Sequence, residues 1–486
     1  MPRTIRRRPS VRAPVYGGAL MVVTGHAAAS LAAVAAHKHG GNIVDAAIAA
    51  SAALTAVVGQ ATTIGGDCFL LYHEAATGKT HALNASGAAP AAATPDKFRD
   101  GMQIYGPLAA VVPGLVRAWD VLHKRFGSQP WADLIAPSIA LAEGHPVSFI
   151  LGSRLPVDAE DLAKDPGCAG VYLKRGAPLP LGVALHQPAL AATLRRIASQ
   201  GADEFYTGET ARHIAAAHKN AGGLMTSADL AGYVPMWVEP VSTRYRGHRV
   251  SVMPPNSCGG LLLMQLDGLS ALSSEQLTAD PVRTMAYQMS AMKAAFRHGQ
   301  PLVADPTAIP DAPDRMLAPE MKARMQAAVR AIDATGEVTG SGGTACVLVA
   351  DAAGNMICIV QSIYNVFGSM FMDPATGILF NNRMQDFAHE PGKPGSVGPG
   401  RRPFHTLCPI MVHKDGRPRF ALASPGGISQ TLTGAQLLTE LLDKGSDVAA
   451  AVEAPRWCNR KGGDFLIEPF FPEAMPAALA KLGHQA

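Results

Sequence analysis

Two patterns of apolar residues run along the chain, and they predict both helices and buried strands. Apolar residues three and four positions apart, ended by Gly or Asn, predict helices, most densely between residues 113 and 333. Short unbroken apolar runs between turn residues predict strands buried on both faces. The predicted helices are 27–37, a long one from 44, 115–126, 132–143, 209–217, 289–296 and 318–332. The predicted strands are one from 21, then 68–72, 81–83, 345–350, 356–360, 377–380, 409–413 and 419–423.

The pattern breaks at residues 334–343, which read Ala-Thr-Gly-Glu-Val-Thr-Gly-Ser-Gly-Gly. A segment this polar and glycine-rich has almost no capacity to pack, so it predicts a linker. Thr344 follows it and opens the hairpin predicted from 345–350 and 356–360. By local pattern alone, this is an ordinary loop in front of a threonine that starts a strand. A self-cleavage site is the alternative.

Self-cleavage would give Thr344 a chemical role. Its hydroxyl would attack the Gly343 carbonyl, an N→O acyl shift would give an ester, and water would release a new N-terminus. Gly342 and Gly343 are expected to allow the strained backbone that this attack needs. The freed α-amine, with an ordinary pKa of about 8, can act as the base for its own hydroxyl. No His/Asp partner with a triad signature is evident.

Composition excludes several classes of protein. The chain has 486 residues, of which 48% are apolar and 16% charged, enough to bury a sizeable core. The net charge is +4 with no basic stripe beyond the arginines near the N-terminus, so nucleic acid is not an expected partner. Residues 1–15 are rich in Arg and Pro and are expected to be disordered. No apolar run reaches about 18 residues, so no membrane contact is expected.

The cysteines and histidines predict neither a disulfide framework nor a metal site. Seven cysteines are scattered without CxxC pairs, which is typical of a reducing compartment. The histidines lack metal-ligand spacing, and we predict no metal and no cofactor. We expect a cytoplasmic protein. The short apolar stretch 16–23 behind the N-terminal arginines is a weak secretory signal, so a periplasmic location is the alternative.

Taken together, short segments from about Val22 to His484 occur in an order that resembles the γ-glutamyltranspeptidase family. No single segment is specific, and the resemblance depends on their common order with a Gly/Thr junction at the expected place. The segments are Gly-Gly-Asn-Ile-Val-Asp-Ala at 40–46, Thr-Ile-Gly-Gly at 63–66, Val-Pro-Gly at 112–114, Pro-Pro at 254–255, Cys-Gly-Gly at 258–260, Thr344 through Asp-Ala-Ala-Gly-Asn at 351–355, Phe-Gly-Ser at 367–369, Gly-Ile-Leu-Phe-Asn-Asn at 377–382, Asp-Phe at 386–387 and Ser-Pro-Gly-Gly at 424–427.

The resemblance implies an α+β fold, the four-layer αββα sandwich of N-terminal-nucleophile hydrolases, with two mostly antiparallel sheets between helical layers. It implies a proenzyme cut between Gly343 and Thr344. The large subunit would be 1–343 and the small catalytic subunit 344–486, and the two would stay together as one intertwined heterodimer. A higher homo-oligomer stays open.

The family's catalytic roles fall on four residues of this chain. The resemblance makes Thr344 the nucleophile and places Ser362 at the family's second threonine, beside it, where its hydroxyl can donate to the nucleophile or to its amine. The N–H groups of Gly426 and Gly427 would form the oxyanion hole. Asp386 matches the acid that binds the α-ammonium group of a γ-glutamyl substrate. A small-molecule amide would be the acyl donor, and water or an amine the acceptor.

The substrate-recognition residues depart from the family pattern. Ser86 stands where the family has an arginine that clamps the α-carboxylate, and a serine makes no bidentate carboxylate contact. His405 and Thr406 replace paired serines, and Tyr364 replaces an asparagine. His405 is expected either to contact substrate or to cap a loop.

Arg383 is the candidate that compensates for this loss. It precedes Asp386 by three residues, at a position where the family usually has Glu or Gln. We hypothesise that Arg383 supplies the carboxylate clamp that Ser86 cannot, and a solvated arginine is the alternative. The C-terminus is another departure, because relatives usually continue through a further strand pair. That edge of the sheet is expected to be missing or to come from another subunit.

The default function implied by the resemblance is acyl transfer from γ-glutamyl compounds such as glutathione, to water or to an amine. Because the changes lie in the recognition residues, a relative that hydrolyses a different amide is the first alternative, of the cephalosporin-acylase or oxamate-amidohydrolase type. An inactive family member with a binding or assembly role is an alternative of another class. The missing arginine favours it, and the retained Thr344, Ser362 and Gly426-Gly427 count against it.

Overall fold

The computed structural model describes residues 13–336, 338, 342–459 and 464–485. Most of the segment expected to be disordered (1–15) and part of the predicted linker (337 and 339–341) lie outside the described residues. Within them, none of the helices has the length and apolar character needed to cross a membrane. All seven cysteines are free thiols.

The chain folds into a mixture of strands and helices. Within the described residues the strands are β1 (Leu20–Thr24), β2 (Asp67–Glu74), β3 (Lys79–Ala85), β4 (His145–Pro146), β5 (Leu173–Lys174), β6 (Ala177–Pro178), β7 (Ala184–Leu185), β8 (Met236–Val238), β9 (Val241–Tyr245), β10 (His248–Val252), β11 (Gly343–Asp351), β12 (Met356–Tyr364), β13 (Met372–Asp373), β14 (Ile378–Leu379), β15 (Ile410–Lys414), β16 (Arg417–Leu422), β17 (Trp457–Asn459) and β18 (Phe465–Ile467).

In the same residues the α-helices are α1 (Ala27–Lys38), α2 (Ile43–Val57), α3 (Leu115–Phe126), α4 (Trp131–Glu143), α5 (Phe149–Leu162), α6 (Pro166–Tyr172), α7 (Pro188–Gln200), α8 (Asp203–Thr207), α9 (Glu209–Asn220), α10 (Ser227–Ala231), α11 (Gly259–Leu269), α12 (Ser274–Thr278), α13 (Pro281–Gly299), α14 (Ala312–Met316), α15 (Pro319–Ala331), α16 (Ser429–Leu438), α17 (Val448–Glu453) and α18 (Met475–Ala480).

Two antiparallel sheets organise the described part of the chain. One has the strand order β1-β11-β12-β2-β3-β8 and the other β16-β15-β10-β9. The hairpin β11–β12 lies inside the first sheet, where β1 pairs with one side of it and β2 with the other. The strand that follows the predicted linker is therefore flanked by a paired strand on each side.

Alternating side chains let each sheet pack on two faces. On β2, Leu70 packs in a cluster with the helices α1–α4, whereas Phe69 and Leu71 face the other way. On β15, Met411 joins Phe69 and Leu71, whereas Val412 packs against α11, α13, α15 and α16. Because successive strand residues point to opposite faces, the two sheets share one apolar interface and each packs against helices on its other face.

The helix α2 packs against β11 and β12, the strand pair that follows the predicted linker. It begins at a capping box, in which Asn42 accepts from the backbone N–H of Val44 and Asp45, and the Asp45 carboxylate accepts from the Asn42 N–H at 2.9 Å. Every residue of α2 is buried, and seven of its fifteen residues are alanine, so the helix lies close against β11 and β12. A helix that is apolar all round belongs in a core.

Most predicted elements are present, and the hairpin of two apolar strands is confirmed. The expectation of a mostly helical middle is confirmed, but the strands β8, β9 and β10 at residues 236–252 were not predicted. In β9 exposed and less exposed positions alternate, which is the period of a strand with one covered face, whereas the last three residues of β10 are all buried. The strand predicted at 377–380 is shorter, since Ile378–Leu379 pair with β13 and Phe380 makes an isolated bridge to Gly65.

Candidate active site

Thr344 lies on β11 at an irregular point of the sheet. On one side of it Gly343 pairs with Tyr364, and on the other side Ala345 pairs with Gln361. Thr344 therefore faces two residues of β12, which is a β-bulge, a feature that re-aims side chains and is common beside active sites. The Thr344 side chain is nearly buried, at 9% exposure.

Ser362 contacts the bond that the proposed cleavage would break. Its Oγ lies 2.6 Å from the Gly343 carbonyl oxygen and 2.7 Å from the Tyr364 backbone nitrogen. Because the Tyr364 N–H must donate, the single Ser362 proton goes to the Gly343 carbonyl. In the uncleaved chain Ser362 thus polarises that carbonyl and has no proton left for the Thr344 hydroxyl.

Gln430, in the first turn of α16, bonds to the Thr344 hydroxyl. Its Nε2 donates to Thr344 Oγ1 at 3.1 Å, and its Oε1 accepts from the Cys408 N–H at 2.9 Å. The second bond fixes which end of the amide faces Thr344. Sequence reasoning missed Gln430. The available signal was a polar residue in an apolar helix directly behind the Ser-Pro-Gly-Gly segment.

Gly426 and Gly427 form the turn in front of α16. Their φ values are 115° and 57°, in the region that favours glycine. In the part of the chain that is described, no hydrogen bond is made by either N–H group. A Cβ placed on Gly342 would lie 3.4 Å from the Gly427 Cα, so the turn is next to the end of the linker. Two unpaired N–H groups at a helix N-terminus can hold a negative oxygen.

Gly342 and Gly343 are the two residues directly before Thr344, and their backbone conformation and surroundings show why both are small. Neither Gly342 nor Gly343 has a positive φ. A Cβ on Gly342 would lie 3.2 Å from the Tyr364 carbonyl oxygen, and one on Gly343 would lie 3.4 Å from the Ala61 Cα. A positive φ is therefore not the reason for glycine at these two positions in the uncleaved chain. Close packing of the linker end against neighbouring backbone explains why both residues are glycine.

A buried ionic cluster lies next to the junction. His405 Nε2 lies 2.7 Å from Asp67 Oδ2, and its Nδ1 accepts from the Leu407 N–H, so a neutral His405 donates to Asp67. Burial lowers the pKa of His405 to about 4. Burial alone would raise the pKa of Asp67, but His405 and Arg383 hold it below its ordinary value. Asp67 is on β2, directly opposite Ser362.

Arg383 joins this cluster to Asp386. Its Nε lies 3.4 Å from Asp67 Oδ2, and its Nη1 lies 3.6 Å from Asp386 Oδ2 and donates to Thr406 Oγ1 at 3.2 Å. Burial raises the pKa of Asp386 to about 7, although Arg383 opposes the shift. Arg383 itself is fully buried, with its guanidinium carbon 4.4 Å from the centre of the Tyr364 ring.

Three predicted recognition residues do not reach the surface of the site. Ser86, His405 and Arg383 are all fully buried in the uncleaved chain. Ser86 donates to Asn84 at 2.6 Å, and Arg402 covers its carbonyl. Direct substrate contact by Ser86 or His405 is therefore not supported, because their polar atoms are used inside the fold. Arg383 is neither an exposed clamp nor the solvated residue of the alternative.

The other three, Tyr364, Asp386 and Thr406, line a cavity of about 660 Å³. Arg297 and Lys393 add cationic groups to its wall. Apolar residues complete the wall, among them Phe296, Val303 and Phe404. Tyr364 links this cavity to the junction, because it also pairs with Gly343. No group of three or more His, Cys, Asp or Glu among the described residues could hold a metal ion.

A hydroxyl residue behind a linker, on a central strand and close to free backbone donors, is the arrangement of an N-terminal-nucleophile amidohydrolase. Comparison with known proteins supports this class. The model of the gamma-glutamyltranspeptidase family matches residues 29–486. The chain belongs to the gamma-glutamyltranspeptidase family.

Individual relatives carry different activities in their names. The chain is 34% identical to the acylase ACY 1 proenzyme of Pseudomonas sp. strain SE83, over 97% of this chain and 88% of that protein. It is 32% identical to the glutathione hydrolase proenzyme of Escherichia coli K12, over 91% and 81%. The cephalosporin acylase from Bacillus halodurans superposes with a TM-score of 0.91 at 33% identity, covering 98% and 90%. The relationship thus leaves the substrate open.

Proposed function

We propose that this chain is an amidohydrolase that cleaves itself between Gly343 and Thr344 and then uses Thr344 on small amides whose acyl part lacks an α-ammonium group. The junction carries the first half of the proposal. In the uncleaved chain Ser362 donates to the carbonyl to be attacked, and Gln430 donates to the attacking hydroxyl. An inactive binding protein has no need of this arrangement.

Self-cleavage balances with water as the only co-reactant. Thr344 Oγ bonds to the Gly343 carbonyl carbon as the hydroxyl proton leaves, and the C–N bond breaks as the Thr344 nitrogen takes up a proton. Water then hydrolyses the ester, which leaves a carboxylate on Gly343 and a free amine and hydroxyl on Thr344. The products, 1–343 and 344–486, would remain as a heterodimer, since β11 and β12 pair with β1 and β2 of the large subunit.

Turnover would repeat the same chemistry on a substrate. The Thr344 α-amine accepts the hydroxyl proton as Oγ attacks the amide carbon. It then passes that proton to the leaving nitrogen, so the C–N bond breaks, a neutral amine departs and an acyl-enzyme remains. The N–H groups of Gly426 and Gly427 would hold the negative oxygen of each tetrahedral intermediate. Water, or an amine in a transfer reaction, then releases the acyl group. The packing of each sheet on helices and on the other sheet supports a four-layer αββα sandwich as the frame.

The charges around Asp386 carry the second half of the proposal. A γ-glutamyl group needs an acid for its α-ammonium, and Asp386 is the residue at that position. Here Arg383 lies 3.6 Å from Asp386, and burial raises the Asp386 pKa to about 7. A carboxyl group that is half protonated near neutrality and already faces a guanidinium binds an ammonium poorly. A dicarboxylic monoamide, such as a glutaryl amide, fits this site better.

Glutathione and other γ-glutamyl compounds are the second candidate, because Asp386 does line the cavity. Two p-nitroanilides separate the candidates, since glutaryl and γ-glutamyl anilides differ only in the α-ammonium group. We expect kcat/KM to be at least about tenfold higher for the glutaryl compound, a difference of about 1.4 kcal/mol. Oxamate completes the panel, and the Thr344→Ala variant serves as the blank. Faster turnover of the γ-glutamyl anilide would contradict the proposed substrate class.

The pH dependence of KM gives a second prediction. Ionisation of Asp386 as pH rises through about 7 adds a negative charge beside the acyl carboxylate. KM for glutaryl anilide is therefore expected to rise about three- to tenfold from pH 6 to pH 8, whereas KM for neutral butyryl anilide stays flat. The other charged groups around the cavity are Arg297 and Lys393 on its wall and Arg383 and Asp67 behind it. The Asp386→Asn variant should remove the pH dependence of KM. If KM for the two anilides changed in parallel with pH, ionisation of Asp386 would not control binding of the acyl carboxylate.

A further inference from the structure

The nucleophile and the carbonyl it attacks have separate hydrogen-bond donors. Ser362 directs its only proton to the Gly343 carbonyl oxygen, so it has none left for Thr344. Among the described residues, Gln430 is the side chain bonded to Thr344 Oγ1. In the proposed reaction Thr344 Oγ1 gains negative charge when it attacks and again when it leaves. Among the described residues the side-chain amide of Gln430 is its donor.

Gln430 is held firmly enough to keep that position. It is 1% exposed, and its Oε1 is tied to the Cys408 N–H at 2.9 Å. Its own backbone N–H donates to the Gly427 carbonyl at 3.1 Å, in the turn whose N–H groups are unpaired. Gln430 therefore bonds to Thr344 through its side chain and to the Gly426-Gly427 turn through its backbone. These two bonds fix the distance between the Thr344 hydroxyl and the turn.

We propose that Gln430 is a catalytic residue, whose side-chain N–H stabilises the charge on Thr344 Oγ in self-cleavage and in turnover. This inference rests on the proposed function. In self-cleavage and in acylation the N–H supports Oγ as its proton leaves and the C–O bond forms. In deacylation the C–O bond breaks and Oγ departs as an alkoxide, which the same N–H stabilises before Oγ is reprotonated. Gln430 takes no proton in any of these steps.

The matched pair of variants is Gln430→Met and Gln436→Met. Gln436 is a buried glutamine on the same helix, and its side chain bonds to Trp457, away from the site. We expect Gln430→Met to slow conversion of the newly synthesised 50.6 kDa chain by at least about tenfold, and to lower kcat similarly with KM within about twofold. Gln436→Met should leave both rates within about twofold of wild type.

The Gln430→Glu variant provides a readout that a structural role would not change. An ionised carboxylate keeps the acceptor for Cys408 but has no proton for Thr344, whereas a protonated one has both. Its self-cleavage relative to wild type should therefore recover about tenfold or more between pH 8 and pH 5. The uncleaved chain is the right form for this test, because it has no free Thr344 amine to pair with the carboxylate.

Three outcomes would overturn the role of Gln430. They are wild-type rates in Gln430→Met, equal losses in the Gln430→Met and Gln436→Met variants, and a Gln430→Glu profile parallel to that of wild type. If Gln430→Met does not fold, judged by its thermal unfolding, the isosteric Gln430→Glu decides alone. Failure of the proposed function looks different, because wild-type protein would then neither cleave itself nor hydrolyse any anilide.

Discussion

The Thr344→Ala variant is expected to remain a single chain of 50.6 kDa and to lose amidase activity by about 10⁴- to 10⁶-fold. Alanine keeps the strand and the buried Cβ but removes the oxygen that Gln430 holds and that would attack Gly343. Self-cleavage and turnover would therefore fail together. Denaturing electrophoresis and hydrolysis of glutaryl anilide measure the two effects on the same sample.

Thr344→Ser is the matched control, because it keeps the hydroxyl and loses only a methyl group. We expect it to cleave itself and to retain activity within about tenfold of wild type. A Thr344→Ala protein that still separated into two fragments at the same position, or that kept most of its amidase activity, would show that another group is the nucleophile.

The second large effect is expected at Ser362. The Ser362→Ala variant should self-cleave about 10²- to 10³-fold more slowly, because the Gly343 carbonyl loses the donor 2.6 Å away that would stabilise its developing negative charge. The uncleaved chain should accumulate and convert slowly. The half-time of conversion, followed by electrophoresis after synthesis, measures the effect.

Ser362→Thr is the control here, since threonine is the residue that the family pattern has at this place and it keeps the hydroxyl. We expect its half-time to stay within about tenfold of wild type. If alanine and threonine variants were equally slow, the volume of the side chain, not its proton, would control cleavage. If Ser362→Ala matured at the wild-type rate, the polarising role would be excluded.

The fold was predictable from the sequence where the apolar residues of a segment followed one clear pattern, either that of a helix or that of a strand. The hairpin β11–β12 has two continuous apolar runs and a turn, which fit a central strand pair. The strands β9 and β10 were missed because each has only five residues and both are embedded among helical segments. Only β9 shows the alternation of a half-covered strand, since the last three residues of β10 are all buried. How the sheets stack depends on long-range pairing that no local pattern contains.

The site was predictable where chemistry is tied to the order of motifs. The places of Thr344, Ser362 and the two glycines follow from that order, and the structure brings them together around the junction. Gln430 could not be found in this way, because none of the matching segments includes it and its contact with Thr344 exists only in the folded chain.

The recognition residues show a different limit of sequence reasoning. Ser86, His405 and Arg383 occupy family positions that imply substrate contact, but burial is a property of the folded chain. Asp67 accounts for two of them, since it binds His405 and faces Arg383 inside the core. A buried cluster of this kind can place Asp386 at the cavity wall without touching a substrate.

The N-terminal sequence of the smaller fragment tests the central claim most directly. Purified wild-type protein should give two bands of about 36 and about 15 kDa, in proportion to the residues on each side of the junction. The smaller one should begin Thr-Ala-Cys-Val, at Thr344. A single 50.6 kDa chain without amidase activity, or a small fragment that begins at any other residue, would contradict the account.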